Sequence, residues 1–189
     1  TNGKTTVTHW ITQALNQVMP TALLGTLGYG RLDQLKTTGF TTPDACRVQR
    51  VLAELKAEAN QSVAMEVSSH ALDQDRIAGI ELNCAVFTNL TQDHLDWHGD
   101  FEQYAAAKAR IFSSNTIAVL NRDDDSVMNM QSDMNRTITF GVEAPTEEDA
   151  FGVFHDTAAG GIDWLVWAEP DAEALELKAK RRRKKTDLD

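Results

Sequence analysis

The chain has 189 residues, 42% of them hydrophobic and 24% charged, and a formal net charge of −10. That is enough for one domain with a full core, and no apolar run approaches the roughly 20 residues of a membrane span. Seven of the 18 basic residues crowd between Lys178 and Lys185, and the other 11 face 26 acidic residues in 1–177, which argues against nucleic acid as a partner of the body. The basic run, with no interleaved aromatic residue, reads as a solvated helix end or surface turn. The competing reading is a nucleic-acid or acidic-lipid patch. The polar start carries no signal-peptide apolar region, and Cys46 and Cys84 form no C-x-x-C pair. A reduced, cytoplasmic setting with both thiols buried is the expectation.

In chain order, Val7, Ile11, Ala14, Leu15 and Val18 recur at helical spacing from Thr5 to Met19, where Pro20 ends the pattern. A short strand is expected at Ala22–Leu27, then a loop marked by Gly25, Gly28 and Gly30 and running to Thr42. A second helix starts at TTPDA with Thr42 as N-cap, Pro43 in the first turn and an apolar face of Val48, Val51, Leu52 and Leu55. Buried strands follow at Val63–Val67 and Cys84–Leu90, a helix at Phe101–Phe112, a strand at Thr116–Leu120, a helix at Ser126–Met134 and a strand at Thr137–Phe140. Short apolar strands alternating with helices predict an α/β fold, a parallel sheet with helices on both faces. The stretch 152–167 reads as a glycine-punctuated antiparallel hairpin. The implied layout is an α/β domain over 1–150, a small β appendage over 151–177 and a basic tail over 178–189.

Three stretches carry chemistry. TNGKTT holds the second half of G-x-x-x-x-G-K-[ST], directly before an amphipathic helix. There Lys4 reaches ATP phosphates, Thr5 offers its hydroxyl to Mg²⁺, and Asn2, Gly3 and Thr6 complete the anion-binding turn. In AMEVSSHALDQDR, Glu66 is the one charge in an apolar strand. It is either a Mg²⁺ ligand at the end of a parallel strand or a glutamate at a frayed end. In FTNLTQDHLDWHGDFEQYAAAKARIF, His94 and His98 lie four apart, a weak zinc signal without a third soft ligand. Lys108 stands among alanines, where a lysine ordinarily snorkels to solvent.

TNGKTT, MEVSSHAL, FTNLTQDHLDWHGD, YAAAKARIF and NRDD, in this order and spacing over residues 1–141, resemble the Mur ligases of peptidoglycan synthesis. The resemblance is closest to the MurE-type branch, which adds the third residue to UDP-N-acetylmuramoyl-L-alanyl-D-glutamate. It implies a P-loop NTPase-like central domain, ATP and Mg²⁺ as cofactors, and that nucleotide-linked dipeptide and a diamino acid as substrates. By this resemblance Lys4, Glu66, His94 and Lys108 are the catalytic set. Thr5 and Glu66 serve one Mg²⁺ and His94 a second, with Lys108 carbamylated as a carboxylate-like metal partner. Thr41, Thr42, Ser68, Gln74 and Arg76 match positions that hold the muramoyl dipeptide, and the roles of Asn121 and Asp123 stay open.

The resemblance also implies a monomer with no membrane partner, working on cytoplasmic wall precursors. It further implies a chain truncated at both ends, since the family's phosphate loop begins upstream and its other two domains recognise UDP and the incoming amino acid. On that expectation these residues alone are inactive. Two other readings compete: a generic P-loop ATPase or kinase, and a non-catalytic binding module.

Overall fold

Strand β1 (Thr21–Gly25) is buried along its whole length, because it is the middle of a three-stranded sheet and its run TALLG offers no charge to either face. This is one feature of a computed structural model that describes residues 1–130, 136–158 and 160–169. The basic tail, residues 170–177 of the expected appendage and 131–134 of an expected helix lie outside the described residues. The chain forms two compact units, one of residues 1–81 and 91–111, the other of 82–90 and the described residues from 112 onward.

In the first unit, helix α1 (Lys4–Leu15) leads into β1, which pairs antiparallel with β2 (Gly28–Gly30) and parallel with β3 (Ser62–Met65). The stretch expected to be loop therefore contains a strand. Gly28 permits it: its φ is 129°, and a Cβ there would meet the Lys36 carbonyl oxygen at 2.5 Å. Helix α1 ends earlier than Pro20 predicts. The Asn16 side chain closes it, donating to the Thr12 and Thr21 carbonyls and accepting from the Thr21 N–H.

The buried face of α1 also differs from expectation. Thr8 and Thr12 are buried, Val7, Ile11 and Leu15 are half-buried, and Ala14 and Val18 are exposed. A threonine can be buried here because Thr12 Oγ1 donates to the Thr8 carbonyl one turn back, 2.8 Å away. Helix α2 (Ala45–Ala57) starts from Asp44, whose carboxylate accepts from the Arg47 N–H; Thr42, expected as the cap, is buried and engaged elsewhere. Its Val48, Val51 and Leu55 pack with Ala22 and Leu24 into the core, and Leu52 packs against them half-buried, as the spacing predicts.

Helices α3 (Ser69–Asp73), α4 (Leu95–His98) and α5 (Phe101–Ala109) complete this unit, with α3 and α4 both packed against α5. Asp100 caps α5 by accepting from the Gln103 N–H.

The second unit is a five-stranded sheet in chain order: β4 (Cys84–Phe87), β5 (Ile117–Asn121), β6 (Thr137–Phe140), β7 (Ala150–Asp156) and β8 (Ile162–Ala168). The first four are parallel and β8 returns antiparallel, so the hairpin read from the sequence is continuous with the sheet. Helix α6 (Asp125–Met128) is capped by Asp124 and is shorter than the expected Ser126–Met134. The α/β class with parallel strands and helices stands, with the strands divided between two sheets. Neither cysteine is buried: both thiols are free and exposed. Cys46 sits off the Val48–Val51–Leu55 stripe of α2, and Cys84 opens β4. Among the described residues no helix is long and apolar enough to cross a membrane.

Candidate functional site

The parallel register of β1 and β3 builds the site. Leu24 lies beside Met65 and the Glu66 N–H donates to the Leu24 carbonyl, so Glu66 emerges next to Gly25 at the sheet's end. Glu66 is 2% exposed, which removes the frayed-strand reading. Its carboxylate is held by three donors. The Thr5 hydroxyl reaches Oε2 at 2.9 Å, the Thr26 N–H reaches Oε1 at 3.0 Å, and the Thr26 hydroxyl reaches Oε2 at 3.2 Å. A buried carboxylate demands such partners. Gly25 is what gives it room, since a Cβ there would sit 2.3 Å from Glu66 Oε1.

At the start of α1, Gly3 takes the left-handed conformation (φ 81°) and its carbonyl accepts from the Val7 N–H. No side chain caps this helix end, and the first N–H groups of a helix have no intrahelical partner, which is what an anion site uses. Lys4 Nζ donates to the Thr1 carbonyl at 2.7 Å, which holds the ammonium beside the turn. Asn2 and Thr6 are exposed on either side of Gly3 and Lys4.

A second group radiates from Glu66 through the backbone. Thr42 Oγ1 donates to the Glu66 carbonyl at 2.9 Å and accepts from the Ser68 N–H at 3.2 Å. The Thr42 carbonyl in turn accepts from Arg76 Nη1 at 2.7 Å, and Arg76 Nε donates to Gln74 Oε1 at 2.8 Å. Ser68 spends its hydroxyl oxygen on the Ala71 N–H as the N-cap of α3. Thr41 hydrogen-bonds to Thr26, Oγ1 to Oγ1, at 2.9 Å. All five residues assigned to the dipeptide thus lie in one connected network with Glu66.

Lys108 does not snorkel. It is 6% exposed, with Nζ 5.4 Å from the centroid of the Tyr104 ring. Burial is the main cause that lowers its pKa from 10.5 to about 8; the positive charge of Lys4 lowers it further, and Asp93 opposes both. Tyr104 meets Thr1 Oγ1 at 2.9 Å, and Thr1 also bonds the Thr91 backbone, which ties α5 to the phosphate turn.

His94 takes a left-handed φ of 52° at the start of α4, with its ring near Asp93 (3.6 Å) and against His70 (centroids 4.7 Å apart). The structure thus sets His94 beside two residues that the sequence reading left out. His70 also meets the Trp97 and His98 rings, and burial, followed by the charges of His94 and His98, lowers its pKa. His98 is buried against Tyr104. Among the described residues no group of three or more His, Cys, Asp or Glu side chains is placed to hold a metal ion, which leaves the zinc reading without a site.

Asn121 and Asp123 lie in the second unit. Asn121 Nδ2 donates to the Thr88 carbonyl at 2.9 Å, and Asp123 accepts from the Val142 N–H at 2.8 Å. Both side chains are tied to backbone there. Sequence reasoning also missed Gly25 and Thr26: Gly25 served only as a loop marker, and a lone threonine in a turn gives no signal.

A family profile for the Mur ligase middle domain matches residues 1–167. A UDP-N-acetylmuramoyl-L-alanyl-D-glutamate–2,6-diaminopimelate ligase of Ralstonia nicotianae is 42% identical over 194 residues, spanning all of this chain and 35% of that protein. A protein of the same name from Xylella fastidiosa is 52% identical over 127 residues, spanning 66% of this chain and 26% of that protein. A solved structure of such a ligase superposes with a TM-score of 0.71 at 33% identity, over 81% of this chain and 32% of that one. The chain therefore spans about a third or less of the length of these relatives. A match over residues 1–167, most of the chain, settles the kinship: the chain belongs to the Mur ligase middle-domain family.

Proposed function

We propose that this chain forms the ATP-binding core of a ligase that adds meso-diaminopimelate to UDP-N-acetylmuramoyl-L-alanyl-D-glutamate. The observation that carries the reading is the pairing of Thr5 with the buried Glu66 at the N-terminus of α1. The three relatives described above are named for this reaction, which supports the choice of diaminopimelate over another diamino acid.

In this reaction a carboxylate oxygen of the dipeptide attacks the γ-phosphorus of ATP, and the bond to the ADP oxygen breaks. The acyl phosphate is then attacked by the amine, which loses a proton as phosphate departs and the amide forms. The first step brings an anion against a polyphosphate, so the site must neutralise charge. Lys4 does so by leaving the Thr1 carbonyl for the phosphates, while the α1 N–H groups and Gly3 cradle them. Arg76, oriented by Gln74 and the Thr42 carbonyl, holds the dipeptide and fixes its attack direction.

Thr5 Oγ1 and Glu66 Oε2 are hard oxygens 2.9 Å apart, a donor set that fits Mg²⁺ completed by water and phosphate. When bound there, Mg²⁺ supplies charge neutralisation to the transferring phosphoryl group. His94 would serve a second Mg²⁺ with Lys108. With a pKa near 8, a useful fraction of the Lys108 amine is neutral at physiological pH and adds to CO₂ with loss of a proton, giving the carbamate.

The test is mass spectrometry of the product made by the protein carrying this chain, supplied with ATP, Mg²⁺, the dipeptide substrate and either diaminopimelate or lysine. The expected product is the diaminopimelate tripeptide with ADP and phosphate. ATP turnover that ignores the dipeptide would overturn the ligase reading in favour of a plain ATPase.

A further inference from the structure

Thr26 occupies the first position of the two-residue turn between β1 and β2, a turn whose register pairs Gly25 with Gly28. From that place it touches both halves of the site. Its N–H and hydroxyl grip the two oxygens of Glu66, and the same hydroxyl oxygen meets Thr41 Oγ1 at 2.9 Å. The direction of the chain is fixed by valence. A carboxylate only accepts, so the single Thr26 proton goes to Glu66, and Thr41 must donate to Thr26. The sequence of donors is therefore Thr41 to Thr26 to Glu66, with Thr5 donating to the same Glu66 oxygen from the other side.

We propose that Thr26 is a positioning residue that couples the dipeptide-side threonine, Thr41, to the metal-side carboxylate, Glu66. This rests on the ligase reading of the site and adds to it a route by which dipeptide binding is felt at the metal. A dipeptide oxygen that draws the Thr41 proton to itself withdraws a donor from Thr26. That weakens the polarisation of the Thr26 hydroxyl and returns electron density to Glu66 Oε2, which strengthens it as a cation ligand. The N–H bond to Oε1 is backbone and survives side-chain replacement, so the hydroxyl alone carries the coupling. Thr26 is exposed, so its replacement does not disturb the core.

The experiment measures the affinity of Mn²⁺, as a spectroscopic stand-in for Mg²⁺, by electron paramagnetic resonance of the free ion. It uses the protein carrying this chain with β,γ-imido-ATP, with and without the muramoyl dipeptide. Thr26→Val should tighten Mn²⁺ binding about fivefold in the absence of dipeptide, because Glu66 Oε2 then lacks the hydroxyl donor altogether. Thr26→Ser, which keeps the hydroxyl, should stay within about twofold of wild type. Saturating dipeptide should tighten Mn²⁺ about fivefold in the wild type. It should have no such effect in Thr26→Val or Thr41→Val, and the double variant should lose no more coupling than either single one. Wild-type affinity and coupling in Thr26→Val, beside a Glu66→Gln variant that has lost Mn²⁺, would overturn the inference alone. A Glu66→Gln variant that still binds Mn²⁺ normally would overturn the metal reading of the site and this inference with it.

Discussion

Thr5 and Glu66, 61 residues apart in the chain, share a hydrogen bond of 2.9 Å from the first turn of α1 to the end of β3. This one contact joins the phosphate turn to a carboxylate that is otherwise sealed from solvent. Gly25, Thr26 and Thr42 are arranged around that glutamate.

Gly25 is the most sensitive point of that arrangement. In Gly25→Ala the new methyl would overlap Glu66 Oε1, so the carboxylate must turn away. The expected outcome is a folded protein destabilised by about 1–3 kcal/mol in urea unfolding. Ligation should fall roughly a hundredfold because the acid is misplaced by about an ångström. Retention of full activity would show that Glu66 is not needed where it stands.

Lys108 gives a pH dependence with a defined sign. Its pKa is about 8 in the folded protein against 10.5 ordinarily, so between these values the unfolded chain binds more protons. Stability therefore rises with pH from about 8 to 10.5, and the penalty of burying the ammonium is fully present below 8. In carbonate-free, metal-free buffer Lys108→Met should stabilise the protein at pH 7, and the gain should shrink toward pH 10.5. Denaturant unfolding at both pH values reads this directly.

Lys108→Ala, in turn, should abolish ligation, with partial rescue by acetate filling the vacant place of the carbamate. Unrescued full activity in the alanine variant would remove Lys108 from the catalytic set.

Arg76 offers two different nitrogens to two partners, the Thr42 carbonyl and Gln74. A lysine has no such fork. Arg76→Lys should raise the KM for the muramoyl dipeptide about tenfold, one charged hydrogen bond's worth, while the KM for ATP stays put. Steady-state kinetics with each substrate varied in turn separates the two.

Asp44 and Thr42 can be told apart by the same logic. Asp44→Ala should cost about 1 kcal/mol of stability, as the loss of a helix cap does, and leave kinetics alone. Thr42→Val should cost stability and also raise the KM for the dipeptide, because Thr42 holds Ser68 and the Glu66 carbonyl.

The local chemistry of the chain was legible in its residues. G-K-T before an amphipathic run announces an anion site because both the turn and the helix are local. The alternation of short apolar strands with helices sufficed for the α/β class, and Val48, Val51 and Leu55 declared the inner face of α2 by period alone. The end of α1 was decided by Asn16 reaching to Thr21, a contact that periodicity does not register. Tertiary structure decided the rest, because the deciding contacts are long-range. Parallel pairing of β1 with β3 sets Gly25 and Thr26 against Glu66, and nothing in the residues between them encodes that approach. Burial turned Lys108 from an ordinary surface amine into one whose proton is held weakly, since desolvation depends on everything packed around it. A pattern along the chain states which groups are available; only the packed sheet fixes which of them meet.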